Sequence, residues 1–127
     1  MTRFLIVCLG GAFGSGARYL VSLGAVALLG IGFPYGTLIV NVTGSFLVAL
    51  LMHVGLTTEM LSPEMRLMLT TGVMGGFTTY STFNHETLAY FREGAWGMAG
   101  LNIVLTLAAC LGAGVAGMAV GRLIFGR

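Results

Sequence analysis

The stretch that decides the fold reads Gly72-Val73-Met74-Gly75-Gly76-Phe77-Thr78-Thr79-Tyr80-Ser81-Thr82-Phe83. It lies in a window without charged residues, between Arg66 and Glu86. Its glycines and its run of β-branched and hydroxyl-bearing residues make a poor helix interior. Non-helical backbone at membrane depth is tolerated only where it is buried in protein or lines a water-filled cavity. The stretch therefore predicts a membrane helix broken at its centre, and the break is a candidate functional site.

The composition of the whole chain supports a membrane location for this break. Of the 127 residues, 57% are hydrophobic and only 8% are charged, whereas an average soluble domain has about 25% charged residues. Two more windows without charged residues lie between Arg18 and Glu59 and between Glu93 and Arg122. A helix needs about 20 apolar residues to cross the hydrocarbon core. The chain also lacks the basic stripe that nucleic-acid binding requires, so no nucleic-acid partner is expected.

The fold class predicted from these windows is an all-α membrane protein with four transmembrane helices, the third broken mid-membrane. The first two helices are separated at Pro34 and its neighbouring glycines, because proline breaks a helix interior. One four-span domain then covers residues 1–127, with spans over about residues 4–29, 34–56, 65–91 and 96–125.

Small residues in these spans recur at four-residue spacing, as in Gly10/Gly14 and Gly72/Gly76. Such spacing lets helix backbones approach closely in lipid. Four short spans enclose little interior, so a pathway forms more easily between two copies. We therefore expect a homo-oligomer, most simply a homodimer.

Polar side chains inside the spans suggest anion contacts, but each has an alternative interpretation. Asn41 and Ser45 lie on one helix face, and the Asn41 amide suits either a dehydrated anion or a hydrogen bond to another helix. Tyr80 and Phe83 present electropositive ring edges to an anion or simply pack. A third group, Asn102, Thr106 and Cys110, recurs every four residues along the last span and lines a path or bonds to another span.

Enzyme chemistry is not indicated by the remaining residues. The only histidines are His53 and His85, and no nucleophile accompanies a base and an orienting group. His85 beside Glu86 forms either a proton-linked pair or part of a solvated vestibule, and its place late in the third span favours the vestibule.

Three motifs then resemble one known family, the dual-topology fluoride channels of bacteria. They are Gly10-Gly11-Ala12-Phe13-Gly14 through Ala17-Arg18-Tyr19, Asn41-Val42-Thr43-Gly44-Ser45-Phe46, and Gly75-Gly76-Phe77-Thr78-Thr79-Tyr80-Ser81-Thr82-Phe83. The third motif is highly specific, and the similarity covers essentially the whole chain.

This resemblance implies an antiparallel homodimer in the bacterial inner (plasma) membrane, a multi-pass protein with two pores for passive fluoride export. It also implies a structural sodium ion on the two-fold axis, held by the backbone carbonyls of Gly75 and Thr78 in each subunit. The released helical bonds of Gly75 to Thr78 would free these carbonyls. The resemblance assigns the anion pathway to Asn41, Tyr80, Ser81, Thr82, Phe83, Asn102 and Thr106.

Three positions depart from the family pattern, one in the third span and two in the fourth, and two other functions compete with the channel. The family usually has Phe where this chain has Tyr80, and Tyr followed by Ser where this chain has Asn102 and Thr106. A small proton-coupled multidrug exporter is also a four-span dimer, but it needs a carboxylate in the first span, where this chain has none. A non-transporting membrane assembly subunit is the other alternative.

Overall fold

The computed structural model describes residues 1–126, so Arg127, the last residue of the predicted domain, lies outside it. Within these residues every regular element is helical. The elements in chain order are α1 (Thr2–Leu29), α2 (Tyr35–Thr57), α3 (Pro63–Leu67), a π-helical stretch (Met68–Met74), α4 (Gly75–Phe77), α5 (Tyr80–Arg92) and α6 (Trp96–Phe125).

Helices α1, α2 and α6 are long and apolar enough to cross a membrane. The third span is assembled from α3, the π-helical stretch, α4 and α5, which follow one another before and after a break. The outer ends of all four spans lie within two residues of the predicted ones. Local chemistry explains this agreement, because Gly30 and Gly94 adopt positive φ values of 78° and 73° at the turns after α1 and α5, a conformation that glycine adopts readily.

The start of the third span carries its own helix signal. Pro63 occupies the first turn of α3, and the Ser62 side chain accepts a hydrogen bond from the Met65 N–H at 3.2 Å. Both features are typical helix starts. The chain then widens into the π-helical stretch, which the sequence did not predict, before one α-helical turn leads to the break.

Close backbone contacts hold the third span against α1. Gly10 and Gly72 approach each other so closely that a Cβ built on Gly10 lies 3.1 Å from the Gly72 Cα. Gly14 is tighter still, since its Cβ would overlap the Val73 carbonyl oxygen and lie 2.9 Å from the Phe77 nitrogen. The predicted role of these glycines in helix packing is therefore what the structure shows.

The second pair of packed helices is α2 with α6. A Cβ on Gly117 of α6 would overlap the Phe46 carbonyl oxygen, and one on Gly121 would lie 2.7 Å from the His53 ring. The small buried core lies between α2 and the third span and contains Val40, Met74 and Phe77. Helix α2 thus runs through the middle of the molecule, where its polar residues can reach the break.

The Gly14→Ala substitution should destabilise the protein, because a methyl group there forces the backbones of α1 and the third span apart. Overpacking of this kind costs about 1–3 kcal/mol. Thermal unfolding in detergent, followed by circular dichroism, measures the loss. Gly16→Ala is the matched control, since its Cβ meets nothing within 4 Å and it should keep or slightly raise stability. Equal unfolding temperatures for the two variants would contradict the packing described here.

Candidate ion pathway at the broken helix

The third span is interrupted at Thr78 and Thr79. Both residues are extended, with φ and ψ of −82° and 160° at Thr78 and −153° and 114° at Thr79. The Thr78 N–H still donates to the Met74 carbonyl at 3.0 Å, as in a helix. The break predicted from the sequence is present, but its non-helical residues are the two threonines, whereas Gly75–Phe77 keep helical backbone angles.

Near the break, a residue can keep helical backbone angles and still lack its helical hydrogen-bond partner. A continuous helix would direct the Thr79 N–H at the Gly75 carbonyl, four residues earlier. In the structure this N–H donates instead to Asn41 Oδ1 at 2.8 Å. The Gly75 carbonyl therefore loses its helical donor although Gly75 itself stays helical, since the last four carbonyls of any helix have no intrahelical partner.

Asn41 replaces the missing backbone partner with its side-chain amide. Besides accepting from the Thr79 N–H, it donates from Nδ2 to the Thr79 carbonyl at 3.0 Å. One side chain thus satisfies both backbone groups of an extended residue at membrane depth. The interhelical hydrogen bond weighed for Asn41 is present, and because an amide carries two N–H groups, this clamp leaves one of them for another acceptor.

Thr79 also caps the start of α5. Its Oγ1 accepts from the Thr82 N–H at 3.2 Å and lies 2.9 Å from Thr82 Oγ1 and 3.3 Å from Ser81 Oγ. The break therefore brings the carbonyl end of one half-helix next to the N–H end of the other. Carbonyl ends carry partial negative charge and N–H ends partial positive charge, so the two sides of the break suit ions of opposite sign.

A cavity of about 480 Å³ opens beside the break, and we call it the central cavity. Of the predicted pathway residues it brings together Asn41 from α2, Tyr80 and Phe83 from α5, and Thr106 from α6. The two rings are tilted by 53° with their centroids 5.7 Å apart. Tyr80 is 75% exposed and Phe83 only 7%, so one ring stands at the mouth and the other in the wall.

The other predicted pathway residues lie around this cavity. Ser81 is exposed, and Thr82 lines a different cavity. Asn102 is 1% exposed, and its amide bonds to Thr87 on α5. For the predicted sodium ligands, Thr78 lines the central cavity while Gly75 is exposed with open space on its Cα.

The cavity that Thr82 lines has a volume of about 490 Å³ and lies below the turn between α1 and α2, and we call it the loop cavity. Thr37 and Glu86 face it together, and Thr37 Oγ1 donates to Glu86 Oε1 at 2.7 Å. Glu86 Oε2 is buried without a hydrogen-bond partner among residues 1–126. The sequence predicted a vestibule at Glu86 but missed Thr37 and Thr79. The spacing of Thr79, Thr82 and Glu86, three and four residues apart on one helix face, was the available signal.

The chain is similar in sequence to proteins of one family. A family model described as "CrcB-like protein, Camphor Resistance (CrcB)" matches residues 5–118. A protein of Anaeromyxobacter dehalogenans named "Fluoride-specific ion channel FluC" is 51% identical over 126 residues, covering 99% of this chain and 100% of that protein. Proteins with the same name from Sorangium cellulosum and Geobacter sulfurreducens are 52% and 46% identical over 122 residues. Each alignment covers 96% of this chain, with 96% of the Sorangium protein and 98% of the Geobacter protein.

The family match, over residues 5–118, includes the second and third spans and most of α1 and α6, and it contains the Asn41–Thr79 clamp, the aromatic pair and the residues that line both cavities. Relatives named as ion channels, together with three apolar helices long enough to cross a membrane, identify a multi-pass bacterial membrane protein. This chain belongs to the CrcB family.

Proposed function

We propose that this protein is a passive fluoride-selective channel that lets cytoplasmic fluoride leave the cell across the inner (plasma) membrane. The observation that carries the proposal is the clamped break, which sets the N–H end of α5 and an aromatic pair beside a cavity in the middle of a membrane span. The name of the aligned relatives supports fluoride as the permeant ion. An ion channel, rather than an enzyme, fits this site.

The chemistry of the central cavity suits a small dehydrated anion. Hydrogen-bond donors come from the second N–H of Asn41 and from hydroxyls, and the ring edges of Tyr80 and Phe83 add positive potential without a trapping charge. None of the residues that line this cavity within positions 1–126 is a carboxylate. The proposed pathway comprises Asn41, Tyr80, Ser81, Thr82, Phe83, Thr106 and, from behind the wall, Asn102.

A proton-coupled exporter is the second candidate, and one observation favours it. Glu86 is a carboxylate inside the third span with one buried oxygen that lacks a partner among the described residues, as in groups that exchange protons. The central cavity holds no such group, so we favour passive flow. A dependence of transport on a proton gradient separates the two functions.

The break provides carbonyl oxygens that are suitable ligands for the sodium ion proposed at Gly75 and Thr78. Transporters coordinate sodium with the carbonyls of unwound helices, and the Gly75 carbonyl has lost its helical donor to the Asn41 clamp. Gly75 lies on an open surface, so a second subunit can approach it. One subunit provides two such carbonyls, from Gly75 and Thr78, and the two subunits of a symmetric dimer would together provide four.

Fluoride flux from liposomes tests the main proposal. Purified protein in liposomes loaded with potassium fluoride should release fluoride once valinomycin allows potassium to follow, and a proton gradient should not be required. The same liposomes loaded with potassium chloride should release far less anion. Chloride efflux as fast as fluoride efflux would remove the selectivity claim. No flux of either ion would remove the channel function, and fluoride flux only with a proton gradient would show proton-coupled export in place of passive flow.

Asn41→Asp should abolish flux. The carboxylate can accept from the Thr79 N–H but cannot donate to the Thr79 carbonyl, and it places a negative charge on the anion path. The Thr79 carbonyl is then unpaired, and an unpaired buried backbone group costs about 1–3 kcal/mol. The break should therefore open more easily, and the backbone amides around it should exchange hydrogen faster. Fluoride efflux and hydrogen exchange by mass spectrometry measure the two effects.

Ser45→Ala is the matched control for this substitution. Ser45 lies one turn from Asn41 and lines the same cavity, but it takes no part in the clamp. Its variant should keep the exchange protection of the break. Undiminished fluoride flux through Asn41→Asp would exclude Asn41 from the path.

Insertion in both orientations is tested by labelling cysteines in intact cells. Ile31 and Met60 are 87% and 68% exposed at opposite ends of α2, so Ile31→Cys and Met60→Cys report on opposite membrane sides in a Cys8→Ser/Cys110→Ser background. An antiparallel dimer places equivalent positions on both sides, so a membrane-impermeant thiol reagent should label each variant to about half. Complete labelling of one variant and none of the other would show a single orientation.

A further inference from the structure

A buried chain of hydrogen bonds joins α5 to α6 behind the central cavity. Thr106 Oγ1 donates to Asn102 Oδ1 at 3.4 Å, and Asn102 Nδ2 donates to Thr87 Oγ1 at 3.0 Å. Thr87 Oγ1 in turn donates to the Phe83 carbonyl at 2.8 Å. Asn102 is 1% exposed, and both threonines are 5% exposed. Water therefore has little access to Asn102 and Thr87, and it can reach Thr106 from the central cavity.

The direction of this chain follows from the donors available. Thr87 has a single O–H, and the Phe83 carbonyl can only accept, so the Thr87 oxygen must accept from Asn102. This requirement orients the Asn102 amide with its N–H groups toward Thr87 on α5 and its carbonyl oxygen toward Thr106, one turn along α6. The Asn102 oxygen is then the fixed acceptor for the Thr106 hydroxyl.

The two ends of the chain reach the central cavity, and its middle does not. Phe83 and Thr106 line the cavity, whereas Thr87 and Asn102 are absent from its wall within the described part of the chain. A change at Asn102 can therefore move one wall through Thr87 and the other through Thr106.

We propose that Asn102 is a positioning residue that sets the anion selectivity of the central cavity without touching the permeant ion. It fixes the rotation of α5, and so the Phe83 ring, through Thr87. It also holds the Thr106 hydroxyl by a long hydrogen bond of 3.4 Å, which is weak enough for the O–H to turn toward an anion in the cavity and return. The inference rests on the proposed channel function.

Thr87→Val separates this role from direct contact with the anion. The variant removes the acceptor for Asn102 and nearly preserves side-chain shape, and Thr87 does not line the cavity. We expect the ratio of fluoride to chloride efflux to fall by about tenfold, because the buried Asn102 donor loses its partner and no longer holds α5 and the Phe83 ring in place. Asn102→Leu should give a similar ratio, and the double variant should be no worse than either single one. Thr87→Ser, which keeps the hydroxyl, should restore the wild-type ratio.

The selectivity ratio distinguishes positioning from a loss of folded protein. Misfolding lowers the fraction of liposomes that release any ion but leaves the ratio of the remaining channels unchanged. A wild-type ratio in Thr87→Val would overturn the inference while leaving the channel function intact. Absence of fluoride flux in the wild type would instead overturn the channel function.

Thiol accessibility tests the placement of Asn102 without any transport measurement. In a Cys8→Ser/Cys110→Ser background, Thr106→Cys should react with a small methanethiosulfonate reagent, because Thr106 lines the cavity. Asn102→Cys, one turn away on the same helix, should stay unmodified. Reaction of Asn102→Cys as fast as Thr106→Cys would show that Asn102 lines the path, and the positioning role would then be wrong.

Discussion

The structure depends on the hydrogen bonds between the Asn41 amide and the backbone of Thr79. In lipid, every backbone polar group needs a partner within the protein, and an extended residue in the middle of a span has none along its own chain. Asn41 supplies both a donor and an acceptor from a neighbouring helix. The chain can therefore end one half-helix and start the next at membrane depth, and the cavity beside the break follows from that interruption.

The same constraint explains why the two sides of the break differ chemically. Ending the first half-helix releases carbonyl oxygens around Gly75, and starting α5 presents the first N–H groups of that helix, between the paired ones of Thr79 and Thr82. No charged side chain is needed for either polarity. A site that binds ions through backbone dipoles holds them less firmly than a formal charge would, and a conducting pore requires such weak binding.

Much of this arrangement is predictable from the sequence, because local signals mark the helix ends. Pro34, the Ser62-Pro63 pair and the turn at Gly94 place the four spans within two residues. The break was predicted in the right segment, from its glycines together with its β-branched and hydroxyl-bearing residues. In the structure Gly72 and Gly76 pack against α1, and the β-branched Thr78 and Thr79 leave the helix. Helix propensity alone does not distinguish a glycine needed for close packing from one needed for flexibility.

Contacts between different helices could not be predicted from local sequence patterns. Asn41 and Thr79 are 38 residues apart, and the sequence left its hydrogen bond and its anion contact equally open. Asn102 was assigned to the pathway by resemblance, yet helical spacing with Thr106 does not show that α5 covers one of the two and leaves the other facing the cavity. The π-helical stretch Met68–Met74 also carries no recognised local signal.

That π-helical stretch has a consequence for how the third span tolerates change in length. A π-helix behaves as an α-helix with an inserted residue, and each residue of an α-helix turns the chain by about 100°. The face that Gly76 and Thr78 present to their neighbours therefore depends on the number of residues upstream as well as on their identity. Insertions and deletions in this segment would rotate the break relative to its neighbours, so the pore geometry depends partly on the number of residues in the segment.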